Sequence, residues 1–414
     1  MAAAVVLAGC STEQPQQRQL QVHIAAGPVA FDSVLALTVS GADPGSPVEA
    51  TATAADAEGT SWQSQASFTP AGDGTVDVAR SAPLPDGSYS DANADGLIWS
   101  MGAGQEHPQF ATGPDATMTV TFTASQAGAS KVSARQQRTF TAPAVRTTML
   151  TQAADGFVGN FYALADRSGK RPAVVVLGGS EGGLPVTLPR AFAAKGIQAL
   201  AVAYFGSPGL PRTLADIPLE YVATALRWLA RQPGVDPGRI AVIGGSRGSE
   251  AALLLGVHFP DLVHAVIAGS PSSVVGPGFP DPSRPAWTLG GRPLPYVTAA
   301  ELGQATPADP AVIIPVERIR GPVLTLCGEQ DQLWPSCAYA DAITARRRQA
   351  GLASAELREP GAGHLIGFTV PNLPSASGTV TYAGASVTVG GTVQSDTLAR
   401  LAAWPQLVTF LQRS

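Results

Sequence analysis

The segment Arg239 to Gly256, R-I-A-V-I-G-G-S-R-G-S-E-A-A-L-L-L-G, constrains the chain more than any other stretch. Ile240 to Ile243 is a short apolar run with β-branched residues, which marks a buried strand. Ala251 to Leu255 continues in strong helix formers. Between them lies Gly244-Gly245-Ser246-Arg247-Gly248, a Gly-x-Ser-x-Gly turn. A strand that turns abruptly into a helix can hold one residue at the apex in a strained conformation and lift its hydroxyl over the carboxyl end of a sheet. The positions two before and two after must be small because strand and helix crowd there, and Gly244 and Gly248 meet that need. The helix start behind Ser246 would aim N–H groups and a positive dipole end at a developing oxyanion. In a chain with 45 glycines the string alone is weak, and an idle serine on a glycine-rich turn is the bland alternative. The flanking strand and helix favour a nucleophile.

A chain of 414 residues is too long for one ordinary core, so two domains are expected. The net charge of −5 and the lack of any basic run except Arg346-Arg347-Arg348 argue against nucleic-acid binding; three successive arginines on a helix point in different directions. Met1 to Gly9 is small and apolar and ends in Leu7-Ala8-Gly9-Cys10, which resembles a bacterial lipobox. Cys10 would then carry lipid, Ser11 to Gln19 would be a tether, and the protein would be extracytoplasmic and membrane-anchored through Cys10 alone. No other apolar run is long enough to span a bilayer. With Cys10 lipidated, Cys327 and Cys337 remain as a pair that export would permit to form a disulfide; two unrelated buried thiols are the alternative.

Residues 1–20 thus read as signal and tether. From Val22 to Phe140 the pattern is all-β, with segments such as Leu35 to Val39, Val48 to Ala52, Ala66 to Phe68, Val76 to Val78 and Met118 to Phe122 separated by turn signals. That spacing predicts an immunoglobulin-like β-sandwich over 21–140. In 141–414 the period changes. Strands are predicted at Phe157 to Ala163, Ala173 to Leu177, Gln198 to Ala203, Val263 to Ala268, Val323 to Leu326 and Ala355 to Arg358. Helices are predicted at Leu188 to Lys195, Leu219 to Arg231 and Ala338 to Ala350. Such alternation calls for a mostly parallel sheet covered on both faces.

The rest of a catalytic set follows in order. Gly178-Gly179-Ser180-Glu181-Gly182-Gly183 comes directly after a buried strand, where a glycine-rich loop supplies half of an oxyanion hole; the backbone of Gly179 or Ser180, with Arg247, would donate. A phosphate loop is excluded because no Gly-Lys-Ser/Thr follows. Asp331 sits on a loop beyond the strand at Val323, well placed to orient an imidazole, with Glu329 as competitor. Of the five histidines, only His364, in Gly361-Ala362-Gly363-His364, follows both Ser246 and a candidate acid. His23 and His107 fall in the β half, and His258 and His264 flank the strand behind the turn. The order Ser246, Asp331, His364 is that of an α/β-hydrolase triad.

Over nearly its full length the chain resembles the acyl-CoA thioesterase / bile acid-CoA:amino acid N-acyltransferase family. The resemblance is carried by Ala26-Gly27-Pro28-Val29, Gly59 to Trp62, Gly96 to Met101, Gly178 to Gly183, Ala201 to Phe205, Pro218 to Tyr221, Ile314 to Ile319, Gly328 to Trp334, Gly363-His364 and Trp404 with Phe410-Leu411. It implies a β-sandwich before an α/β-hydrolase domain, and acyl transfer from a thioester through an acyl-serine on the same three residues. It also implies water rather than an amino acid as acceptor, since the amidating member uses cysteine. Glu181 stands where the family usually has a small residue. The expected partner is a small acyl thioester or ester, with no metal and no bound cofactor. An exported carboxylesterase, an amino acid N-acyltransferase and a catalytically inert surface binding protein are the rival readings. The Pro- and Gly-rich stretch Gly276 to Pro295 would shape the pocket.

Overall fold

Along the strands Arg171–Leu177, Val235–Gly245 and Ala265–Gly269, successive apolar side chains feed two different cores, as the two-residue period of a strand requires. Val174, Val176, Ala241, Ile243 and Ile267 point to one side; Val175, Leu177, Ile240, Val242 and Val266 point to the other. These strands are the middle of an eight-stranded sheet in the computed structural model, which describes residues 19–414 apart from residues 105, 143, 167, 305, 306, 368, 369, 383 and 384. Cys10 and the predicted signal lie outside the described residues.

The sheet order is Ser354–Glu359, Val323–Gly328, Ala265–Gly269, Val235–Gly245, Arg171–Leu177, Gln198–Ala203, Val158–Leu164, Val145–Leu150. All pairings are parallel from Ser354–Glu359 to Gln198–Ala203, while the last two strands pair antiparallel. Val145–Leu150 is an edge strand that the sequence pattern did not reveal, because it is largely solvent-facing and carries no apolar alternation. Helices Leu219–Ala230 and Arg247–His258 cover the face built on Val175 and Val242.

The opposite face is covered by Thr187–Ala194, by Val393–Arg413 and by the N-terminal part of the chain. That part contains a five-stranded sheet, in the order Val29–Ala30, Val132–Thr139, Thr117–Ser125, Val48–Ala55, Ser61–Phe68, and a three-stranded sheet of Gln21–His23, Thr38–Ser40 and Val76–Asp77. One helical turn, Gly96–Trp99, departs from the all-β expectation; its four residues are buried. The apolar interior is continuous from these sheets to the central sheet. Trp404 joins them, stacked on Phe192 and edge-on to Phe31, with its indole N–H donating to Asp32. Lys195 adds an ion pair to the same Asp32. Burial of one aromatic of this size contributes roughly 1.5–3 kcal/mol, so the final helix fastens the N-terminal sheets to the sheet that carries the site.

Candidate active site

Ser246 closes the strand Val235–Gly245 and precedes the helix Arg247–His258, at φ 51° and ψ −123°. A residue with a side chain adopts this backbone only at a cost of order 1–3 kcal/mol, so the surrounding structure must enforce it. The enforcement is steric and local. A Cβ on Gly244 would come 2.1 Å from the Gly248 carbonyl, and one on Gly248 would come 2.3 Å from the Gly178 carbonyl. The Ser246 N–H donates to the Gly269 carbonyl at 2.9 Å. Ser246 is buried within the protein and reaches the solvent-accessible lining of a cavity of about 640 Å³.

His364 begins a short 3₁₀ turn, His364–Gly367, and lines the same cavity. Its Nδ1 lies 2.8 Å from Asp331 Oδ2, and both side chains are almost wholly enclosed. The edge of the ring faces Trp334 at 5.1 Å, and the Ser270 hydroxyl donates to the His364 carbonyl. The loop before the ring is held from below. The Gly363 N–H donates to Asp396 Oδ1 at 2.6 Å, and a Cβ on Gly363 would lie 2.3 Å from the Gly390 carbonyl. Asp331 is fixed in turn: its Oδ1 accepts the N–H groups of Leu333 and Trp334, leaving Oδ2 for the imidazole. Glu329, the competing acid, is turned away to Arg358. Cys327 and Cys337 are joined in a disulfide that spans the Asp331 loop.

The expected oxyanion donors occupy two kinds of position. Arg247 is the first residue of its helix, where a backbone N–H has no intrahelical acceptor. Its side chain is buried and paired with Glu250, whose Nε–Oε2 separation is 2.9 Å. Gly179 does not present an open N–H: it donates to Glu181 Oε1 at 2.7 Å. Ser180 lines the cavity beside it.

The cavity wall combines distant segments. Leu184 to Leu188, Pro277 to Pro280, Val380, Val387 and Val389 make it largely apolar, and the acidic and basic residues among its described lining are Glu181, Arg247 and His364. Pro108 and Gln109 of the N-terminal part also contribute. They are held there by backbone pairing, with Phe110 N–H donating to the Pro374 carbonyl and Ala376 N–H to the Pro108 carbonyl. Sequence reasoning missed the hairpin Gly378–Tyr382 and Ala385–Gly390, and missed the supporting residues Ser270 and Asp396. The Asp396/Arg400 spacing on one helix behind the Thr392 cap was the available signal for the last of these.

A family model for the N-terminal region of acyl-CoA thioester hydrolases and BAAT matches residues 32–152, and one for the BAAT / acyl-CoA thioester hydrolase C terminal matches residues 217–279 and 296–414. The chain belongs to the acyl-CoA thioester hydrolase/BAAT family. Within the family it is 28% identical over 405 residues to acyl-coenzyme A thioesterase 1 of Rattus norvegicus, covering 94% of this chain and 95% of the relative. It is 27% identical over 398 residues to acyl-coenzyme A amino acid N-acyltransferase 1 of Mus musculus, covering 92% and 94%. Among solved structures, a thermostable esterase from Pseudomonas putida ECU1011 overlays 65% of this family member and 83% of its own chain at a TM-score of 0.44, with 19% identity.

Proposed function

We propose that the protein is a serine hydrolase that cleaves acyl thioesters through an acyl-serine intermediate. The observation that carries this is the convergence of a strained Ser246 and the hydrogen-bonded His364–Asp331 pair on one apolar cavity. The acyl chain lies along Leu184 to Leu188 and the strands Gly378–Tyr382 and Ala385–Gly390. Ser246 Oγ attacks the carbonyl carbon as His364 takes its proton, and Asp331 holds the imidazole tautomer and stabilises the imidazolium. The Arg247 N–H receives the oxyanion. The carbon–sulfur bond breaks, the thiol leaves with the proton from His364, and water attacks the acyl-serine by the same path in reverse.

Relatives named as acyl-coenzyme A thioesterases support a coenzyme A thioester as substrate. The composition of the cavity lining favours a second reading. Phosphates are usually held by cations, and the one arginine in the lining is committed to Glu250. A short-chain ester with an uncharged leaving group satisfies the same triad. Release of thiol from an acyl-CoA series, run beside p-nitrophenyl esters, decides between them: ester turnover with no thiol release would overturn the thioesterase assignment.

The apolar wall sets a further expected result. Val380→Phe narrows the cavity, and the loss in kcat/KM should grow with acyl length, by up to about fourfold for each methylene excluded, which corresponds to about 0.8 kcal/mol. An equal loss for all chain lengths in a substrate series would remove Val380 from the acyl path.

Two elements of the reading concern the N-terminus. The five- and three-stranded sheets support an immunoglobulin-like sandwich that walls the site through Pro108 and Gln109. The Leu7-Ala8-Gly9-Cys10 string supports export and lipidation at Cys10, and the Cys327–Cys337 disulfide suits an oxidising compartment. Cells fed a labelled fatty acid should tag the full chain and should not tag Cys10→Ser; equal labelling of both would end the anchor assignment.

A further inference from the structure

Glu181 is placed where the triad chemistry has no use for it. The Tyr204 hydroxyl donates to the Gly178 carbonyl at 2.7 Å, and the start of the nucleophile helix packs on that same carbonyl at Gly248. In a trans peptide the C=O and the following N–H point in opposite directions. With the Gly178 carbonyl clamped, the Gly179 N–H is therefore fixed on the opposite side of that peptide, next to Ser180 and Glu181 of the cavity lining, a preorganised donor of the kind an oxyanion needs. The acceptor now on it is Glu181 Oε1, at 2.7 Å. The carboxyl lines the cavity together with Ser246 and His364. It occupies the donor and puts negative charge beside the place where negative charge must develop.

Resting on the serine-hydrolase reading above, the geometry points to Glu181 as a proton-operated gate on the oxyanion hole: ionised, it holds the Gly179 N–H closed, and protonated or displaced, it releases that donor to the substrate. The groups facing it are His364 from the 3₁₀ turn, Tyr204 from the end of the strand Gln198–Ala203 and Tyr382 from the hairpin. Arg247 and Glu250 face Tyr204 from the nucleophile helix. Glu181 is exposed along the open cavity, but the protein that surrounds it there still pushes its carboxyl above the ordinary carboxylate range, while the Gly179 N–H and His364 oppose that rise. The protonated, open form thus persists to higher pH than for a free carboxyl, and the closed form accumulates as pH rises through the raised value.

The test uses a fluorophosphonate probe on the full chain. Ser246 Oγ bonds to phosphorus, the P–F bond breaks, fluoride leaves and the serine proton passes to His364, while the phosphoryl oxygen takes the oxyanion position. Labelling rates of Glu181→Met and Glu181→Ala, neither of which offers the Gly179 N–H an oxygen acceptor, are divided by the wild-type rate across pH. The expected ratio is near one at the acid end. It climbs with pH to about tenfold, as for a donor that is free about a tenth of the time in the wild type. It stays there to about pH 9, above the imidazole range. A ratio that is flat or below one overturns the gate. A ratio that rises and falls back to one by that pH also overturns it, because the gain would then come from altered titration of His364. Two variants guard against misfolding of either. Labelling of Ser246→Ala at the wild-type rate would instead remove the hydrolase reading, and is distinguishable because no probe should attach in that background.

Discussion

Replacing Ser246 with alanine is expected to reduce acyl turnover by up to about 10⁶-fold in kcat while the protein stays folded. The Cβ is retained, so the strained backbone at φ 51° and its support from Gly244, Gly248 and the Gly269 carbonyl are unchanged. What is lost is the hydroxyl that the proposed mechanism uses to form the acyl intermediate, and without it His364 has no proton to take at that point. Asp331→Asn should cost about 10⁴-fold, because the amide offers an N–H to Nδ1 and favours the wrong tautomer of the ring. The two losses will not add, since both residues serve the same step. Initial rates on the best substrate, with circular dichroism to verify folding, give the answer. Retention of a tenth or more of wild-type activity in folded Ser246→Ala would sink the nucleophile assignment.

Glu250→Ala is expected to destabilise the fold by about 3–5 kcal/mol, the cost of stranding one partner of a buried ion pair. Glu250 sits one helical turn beyond Ser246 with no exposed surface. Its Oε1 accepts from the Trp287 indole N–H at 2.6 Å and from the Gly276 N–H at 2.9 Å, and its Oε2 faces Arg247. Removal leaves a cation and two donors buried directly behind Ser246. Burial pushes the Glu250 carboxyl toward its neutral form and Arg247 pulls it back. Glu250→Gln keeps an acceptor for Trp287 and Gly276 but not the charge, and should fall between wild type and alanine. Thermal melts of the three proteins measure the order; a melting temperature for Glu250→Ala within a degree of wild type would show that the pair is not structural.

The three residues proposed to carry the chemistry were legible in the chain because each announces itself locally. Gly244-Gly245-Ser246-Arg247-Gly248 is a backbone requirement written within five residues, and its strand and helix flank it directly. Asp331 follows a strand of buried, mostly apolar residues and His364 a short polar edge strand, and the two strands pair in parallel so that both loops leave the same end of the sheet. The helix Val393–Arg413 was not legible. Its buried side includes Asp396 and Arg400, and its sequence contains Pro405, a residue that reads as a helix breaker although the helix runs through it, so no clean apolar period appears. Burial drives the Arg400 guanidinium down to about 10, with Asp396 opposing, and Arg400 donates to Ser375 at 2.7 Å. These are polar groups that only a finished fold can satisfy.

What the sequence by itself determined is the strand–turn–helix at Ser246, the parallel strands that carry it and the order of Ser246, Asp331 and His364, since each depends on neighbours within a few positions. Only the tertiary structure decided the rest. The cavity wall takes Pro108 and Gln109 from the N-terminal part of the chain and Val380, Thr381, Tyr382, Val387 and Val389 from the C-terminal part. The occupancy of the Gly179 N–H by Glu181 depends on a peptide clamped by Tyr204 and Gly248, residues brought together from three separate elements. A side chain's partner is set by whatever the folded chain places within hydrogen-bonding distance, and composition or periodicity along the sequence carries no record of that.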